Sequence, residues 1–143
     1  MKLGVSQISG GSKTSVGGYA NPTDEDEESA QFDVTDRRSL DEVMNWLMKL
    51  DYVPSFCTAC YRAGRVGADF MEICKKQQIH NFCHPNALLT LKEYLEDYAS
   101  YNTKTIGEKL IQKELEKIEN PTIKENTKEY LNRIACGERD FKF

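Results

Sequence analysis

The chain contains no uninterrupted apolar run approaching the roughly 18 residues of a membrane-spanning helix. Its first residues, Met1-Lys2-Leu3-Gly4, lack the apolar stretch of an export signal. Basic residues are not in excess: 19 Lys and Arg face 23 Asp and Glu, for a net charge of −4. That balance argues against a nucleic-acid surface. Strand signals are nearly missing. Leu3 to Ser9, with apolar Leu3, Val5 and Ile8, reads as a short strand, but no other segment offers it a partner, and a lone strand is not stable. No internal repeat is visible. Without an export signal the expected compartment is the reducing cytoplasm. The five cysteines then read as metal ligands or buried thiols rather than disulfides.

What is present suits one domain, or one domain with an appendage. The 39% hydrophobic and 29% charged fractions are a soluble, slightly polar balance. Residues 10–38 read as irregular: Gly10-Gly11 and Gly17-Gly18 punctuate them, and Asp24 to Glu28 is an unbroken acidic run. So long a loop suits a linker.

From Ser39 the pattern turns helical. Ser39-Leu-Asp-Glu42 is a capping box, followed by Val43, Met44, Leu47 and Leu50 at helical spacing, with Pro54 as a stop. Phe70, Ile73, Cys74 and Gln77 fit a second, short helix. A third follows His84-Pro85-Asn86, with Leu88, Leu91, Leu95 and Tyr98 on one face. Thr105-Ile-Gly-Glu108 opens a fourth, which Asn120-Pro121 ends. Thr122-Ile-Lys-Glu125 opens a fifth, closed by Gly137.

Cys57-Thr58-Ala59-Cys60 is a CxxC, and Cys83 follows after 22 residues. The spacing places both ends in loops, where backbone can bend around a metal. Three soft thiolates suit zinc or an iron–sulfur cluster. A structural zinc wants four donors, and His80 or His84 can complete that set, giving a zinc-stapled helical binding module without catalysis. Redox-active or inert thiols are the third reading. Cys74 reads as core packing and Cys136 as a free thiol at a helix end. Arg62 and Arg65, close behind the CxxC, are cations of the kind that stabilise thiolates.

The words around these cysteines carry a resemblance. Ser55-Phe-Cys-Thr-Ala-Cys-Tyr-Arg62, Ile79-His-Asn-Phe-Cys83 and the stretch from Pro85 to Ala99 resemble the C-terminal domain of the HydG family, the radical-SAM tyrosine lyases that mature [FeFe] hydrogenase. Gln7 to Thr14 is similar to the end of that family's barrel, and Gly137 to Asp140 to its tail. The resemblance implies a mainly α fold: a helical cluster-binding domain over residues 39–143, an acidic linker over 21–38, and a short remnant of a (β/α)8 radical-SAM barrel over 1–20. It implies that Cys57, Cys60 and Cys83 hold an auxiliary [4Fe–4S] cluster with an open iron, which takes an extra iron and a cysteine molecule. In the full-length family, S-adenosylmethionine cleavage starts the splitting of tyrosine to p-cresol, and the released carbon monoxide and cyanide are assembled into an iron synthon. Ser9 and Lys13 match positions that hold the tyrosine carboxylate, although the family commonly has arginine at the latter, and lysine lacks its bidentate fork. The CxxxCxxC of the radical-SAM cluster is absent from these residues. The expectation is therefore no catalysis by these residues alone. The implied partners are a barrel or a full-length maturase and the other hydrogenase-maturation proteins, with no nucleic acid and no membrane.

Overall fold

The computed structural model describes residues 6–14, 18–20, 36, 38–76 and 79–143. The chain divides into two units, Met1–Val43 and Met44–Phe143. The described helices are α1 (Leu40–Lys49), α2 (Ala59–Arg62), α3 (Gly67–Lys75), α4 (His80–Asp97), α5 (Tyr101–Leu115) and α6 (Pro121–Ala135). No strand occurs among the described residues, so the architecture is mainly α. Of the segment expected to be a strand, residues 6–9 have no regular structure, and residues 1–5 lie outside the described set. Among the described residues no strand is there to pair their backbone. The acidic run Asp24 to Glu28 also lies outside the described residues. No described helix is long and apolar enough to cross a membrane.

Helix α1 starts as the capping box predicts. The Ser39 amide donates to Glu42 Oε2 at 2.8 Å, and the Glu42 amide donates to Ser39 Oγ at 3.3 Å. Its end lies before Pro54. Asp51 adopts a left-handed φ of 61°. That turn lets the Tyr52 and Asp51 amides reach the Leu47 and Met48 carbonyls, at 3.1 and 3.0 Å. Lys113 Nζ then donates to Asp51 Oδ1 at 2.7 Å. Leu50 falls outside the helix and is exposed, while Met48 is buried in its place.

Helix α4 is the axis of the larger unit. Leu88, Leu89, Leu91 and Leu95 are each no more than 1% exposed. The sequence pattern predicts one apolar face, but α4 packs against both α5 and α6. Leu89 and Tyr94 are buried as well, and Tyr98, expected on the buried face, is exposed. Met44 and Met48 of α1, Leu110, Ile111 and Leu115 of α5, and Leu131 and Ile134 of α6 complete the core. Lys92 is buried on α4 between acidic partners, with Glu96 at 2.7 Å and Glu108 also bonded. Burial pulls the Lys92 ammonium down, but the two carboxylates outweigh it, and the net shift is upward.

Two of the helices that begin earlier than predicted do so for a capping reason. Ser100 caps α5 by accepting the Thr103 amide at 3.4 Å. Thr105, expected to open that helix, donates its hydroxyl to the Tyr101 carbonyl from inside it. Asn120-Pro121 starts α6 instead of merely ending α5. Asn120 Oδ1 accepts the Thr122 and Ile123 amides at 3.1 and 3.2 Å. Proline at the first helical position loses no bond.

After α6 the last residues run back across α4. Arg139 Nε donates to Asp97 Oδ2 at 2.9 Å, and the Asp140 amide donates to Glu93 Oε1 at 2.6 Å. Arg62 of α2 takes the Asp140 carboxylate through both terminal nitrogens, Nη2 to Oδ2 at 2.6 Å. The Phe143 amide donates to Asn86 Oδ1 at 2.9 Å, and Asn86 Nδ2 donates back to the Phe143 carbonyl at 3.4 Å. Phe141 stacks on Tyr130 of α6 with centroids 4.7 Å apart.

Gly107 and the Asp140–Arg62 pair yield two predictions. A Cβ at Gly107 meets the buried Leu95 side chain, with Cδ2 at 2.7 Å. Gly107→Ala is expected to cost roughly 1–3 kcal/mol through overpacking, more than the about 1 kcal/mol of helix propensity it gains. Urea unfolding measures this, and a stabilised variant contradicts it. Hydrogen bonds from Arg62 hold the Asp140 carboxyl at about 2, below its usual 3.8. A depressed folded value means that the pair contributes stability above the unfolded value, which is lost as pH falls through about 2. Carboxyl-carbon NMR should give that midpoint, and Arg62→Gln should return it toward 3.8. A midpoint unmoved by the substitution is the contrary result.

Candidate metal centre

The segment bearing the CxxC docks on α4. Phe56 stacks on Tyr94 with centroids 5.5 Å apart, and the Phe56 amide donates to Thr90 Oγ1 at 3.3 Å. Thr90 donates its own proton to the Asn86 carbonyl at 3.1 Å. The next residues turn tightly. The Cys57 amide donates to Ser55 Oγ at 3.2 Å, and the Ala59 amide donates to Cys57 Sγ at 3.4 Å.

Cys60 does not lie in a loop, as its spacing predicts. It sits in α2, a single turn. Gly64, at a left-handed φ of 66°, ends that turn, so the Arg65 amide reaches the Cys60 carbonyl at 2.8 Å. Cys83 is also helical. Helix α4 starts at His80 rather than after His84, and the Cys83 amide donates to the Ile79 carbonyl at 2.8 Å. Pro85 is inside α4, early enough that it removes one bond near the start without ending the helix.

Cys57 and Cys60 are half-buried and Cys83 is exposed. The protein around Cys83 pushes its thiol up, and the thiolates of Cys60, Cys57 and Cys74 push in the same direction, while Arg65 pulls it down. Cys83 thus feels the charge of the other two predicted ligands. Among the described residues, no three His, Cys, Asp or Glu side chains are gathered within reach of a single metal ion.

The neighbours differ from expectation in three places. Cys74 is half-buried rather than part of the core, because α3 has no fully buried residue, and its charge acts on Cys83. Arg62 is committed to Asp140, so of the two arginines it is Arg65 that acts on Cys83. His84 Nε2 lies 3.2 Å from Glu114 Oε2, a buried carboxylate on α5, and His80 is exposed. Cys136 caps the end of α6 and is exposed. Ser9 and Lys13 belong to the other unit. Both are exposed, and the Lys13 amide donates to Tyr19 Oη at 2.9 Å. Asn86 and Phe143, which brace this region, carry no sequence signal beyond a buried polar residue on an otherwise apolar helix.

The donor set is three thiols with a cationic neighbour. That fits a cluster taking one thiolate on each of three irons. For a closed zinc site with four protein donors, His84 already faces Glu114, which leaves the exposed His80 as the candidate fourth donor.

No family model and no curated protein matches the chain. Among solved structures it is similar to the crystal structure of HydG, a maturase of the [FeFe]-hydrogenase. The TM-score is 0.89 at 54% identity, over 99% of this chain. The chain spans 30% of the length of HydG. Together with the helical fold, these figures make the chain a counterpart of the C-terminal portion of HydG.

Proposed function

We propose that Cys57, Cys60 and Cys83 hold an auxiliary [4Fe–4S] cluster in the maturation of [FeFe] hydrogenase. The observation that carries this reading is that Arg65 links the CxxC turn, through the Cys60 carbonyl, to the start of α4, through the Phe82 ring, in a chain 54% identical to a maturase. When bound with three cysteines, such a cluster offers an iron open to further ligands, at which carbon monoxide and cyanide derived from tyrosine can be gathered.

The chain's own residues have separate tasks in this proposal. The Ala59 amide holds the Cys57 sulfur by a hydrogen bond. The cap at Gly64 holds the turn that presents Cys60. Helix α4 fixes Cys83. Cleavage of S-adenosylmethionine falls to a barrel with its own CxxxCxxC, a motif these residues lack. With such a barrel, the Ser9 hydroxyl and Lys13 ammonium are a carboxylate-holding pair, weaker than an arginine fork. The protein then works beside that barrel and the other maturation proteins.

Anaerobic reconstitution with iron and sulfide tests this. The wild-type chain should take up about four irons and four sulfides and absorb near 400 nm. Cys57→Ser, Cys60→Ser and Cys83→Ser should each lose most of that iron, while Cys74→Ser keeps it. Wild-type iron content in Cys83→Ser, or a colourless chain with tightly held zinc, overturns the assignment.

A further inference from the structure

Arg65 follows α2 and is fixed from three sides. Its amide donates to the Cys60 carbonyl at 2.8 Å. Its guanidinium carbon lies 4.7 Å from the ring centroid of Phe82, the residue before Cys83. Its Nη2 donates to the Phe143 carbonyl at 2.6 Å. One residue, through its amide and its side chain, therefore joins the segments of Cys60 and Cys83 to Phe143.

One donor is left over. Arg65 Nε is buried and has no hydrogen-bond partner. A guanidinium cannot shed a proton to relieve this, so the unmet donor is a standing cost. His84 Nε2 is the other such atom among the described residues, and it has Glu114 beside it. Among the described residues, Arg65 Nε forms no hydrogen bond.

We propose that Arg65 is the positioning residue of the three-thiol site, and that its Nε–H is reserved for a sulfur of the cluster held there. This rests on the cluster reading given above. A hydrogen bond and a positive charge at a cluster sulfur favour the more negative, reduced state and so raise the reduction potential.

The test uses the 143-residue chain and its Arg65→Gln and Arg65→Lys variants, reconstituted with iron and sulfide. Circular dichroism checks folding, EPR-monitored titration gives the reduction potential, and pulsed EPR in H2O and D2O reports exchangeable protons near the cluster. Arg65→Gln should load iron, shift to a more negative potential and lose one exchangeable-proton coupling. Arg65→Lys should keep more of the potential, because it keeps the charge, yet lose the same coupling. Wild-type potential and coupling in Arg65→Gln overturn the inference while leaving the cluster reading intact. Where Arg65→Gln does not fold, the coupling in Arg65→Lys decides: its loss supports the proposal and its retention overturns it. A wild-type chain that takes up no iron overturns the cluster reading and this inference with it.

Discussion

The burial of α4 is the constraint to which the rest of the larger unit is referred. Four of its leucines are sealed from solvent. Burying such a side chain is worth roughly 1.5–3 kcal/mol, whereas an exposed ion pair contributes about 0–1 kcal/mol. Sliding or rotating α4 therefore costs far more than breaking any of the surface pairs around it. Cys83 rides on the first turns of that helix, and Phe56 and Thr90 dock the CxxC segment further along it. The thiol site inherits its rigidity from the core, although Cys83 itself is open to solvent.

Within that frame the charged residues set register more than stability. Arg139 on Asp97 and Arg62 on Asp140 are bidentate and partly exposed. Their planar geometry fixes where the segment after Gly137 lies, at little energetic gain. The buried Lys92 is a different case, since removing Glu108 or Glu96 leaves a charge with less compensation in the core. The Asn86 amide is likewise buried, at 2% exposure, and meets the Phe143 backbone with both its oxygen and its nitrogen.

Local signals were legible in the sequence where the chemistry is local. The Ser39–Glu42 box and the stop at Gly137 follow from a few adjacent residues. The starts of α5 and α6 were misread because several Ser, Thr and Asn residues in a row can each cap, and tertiary packing decides which one does. Ser100 wins over Thr105 because the longer helix brings Thr103 into the core, where Asn45 Nδ2 donates to it at 3.1 Å. The CxxC and its distant third cysteine were visible as a motif. Its bracing was not, because Arg65, Asn86 and Phe143 are distant in sequence and meet only in the fold. The separation of Arg62 from Arg65 was hidden for the same reason: it depends on where Asp140 arrives.

That separation bears on the chemistry. Thiolates that repel one another need a cation that is held in place and not already neutralised. Arg62 fails the second condition, since Asp140 takes its charge at the surface. Arg65 is held by the Phe82 ring and the Phe143 oxygen, and its Nε–H is unmet. A lysine there could supply the charge, but only as a point on a flexible stem. The guanidinium can lie over the Phe82 ring, hold the Phe143 carbonyl and still have a donor to spare. Those three demands fall on one planar group, so the position calls for arginine rather than for any positive residue. It also makes the path of the last residues part of the thiol site, because they supply the carbonyl that keeps that plane in place.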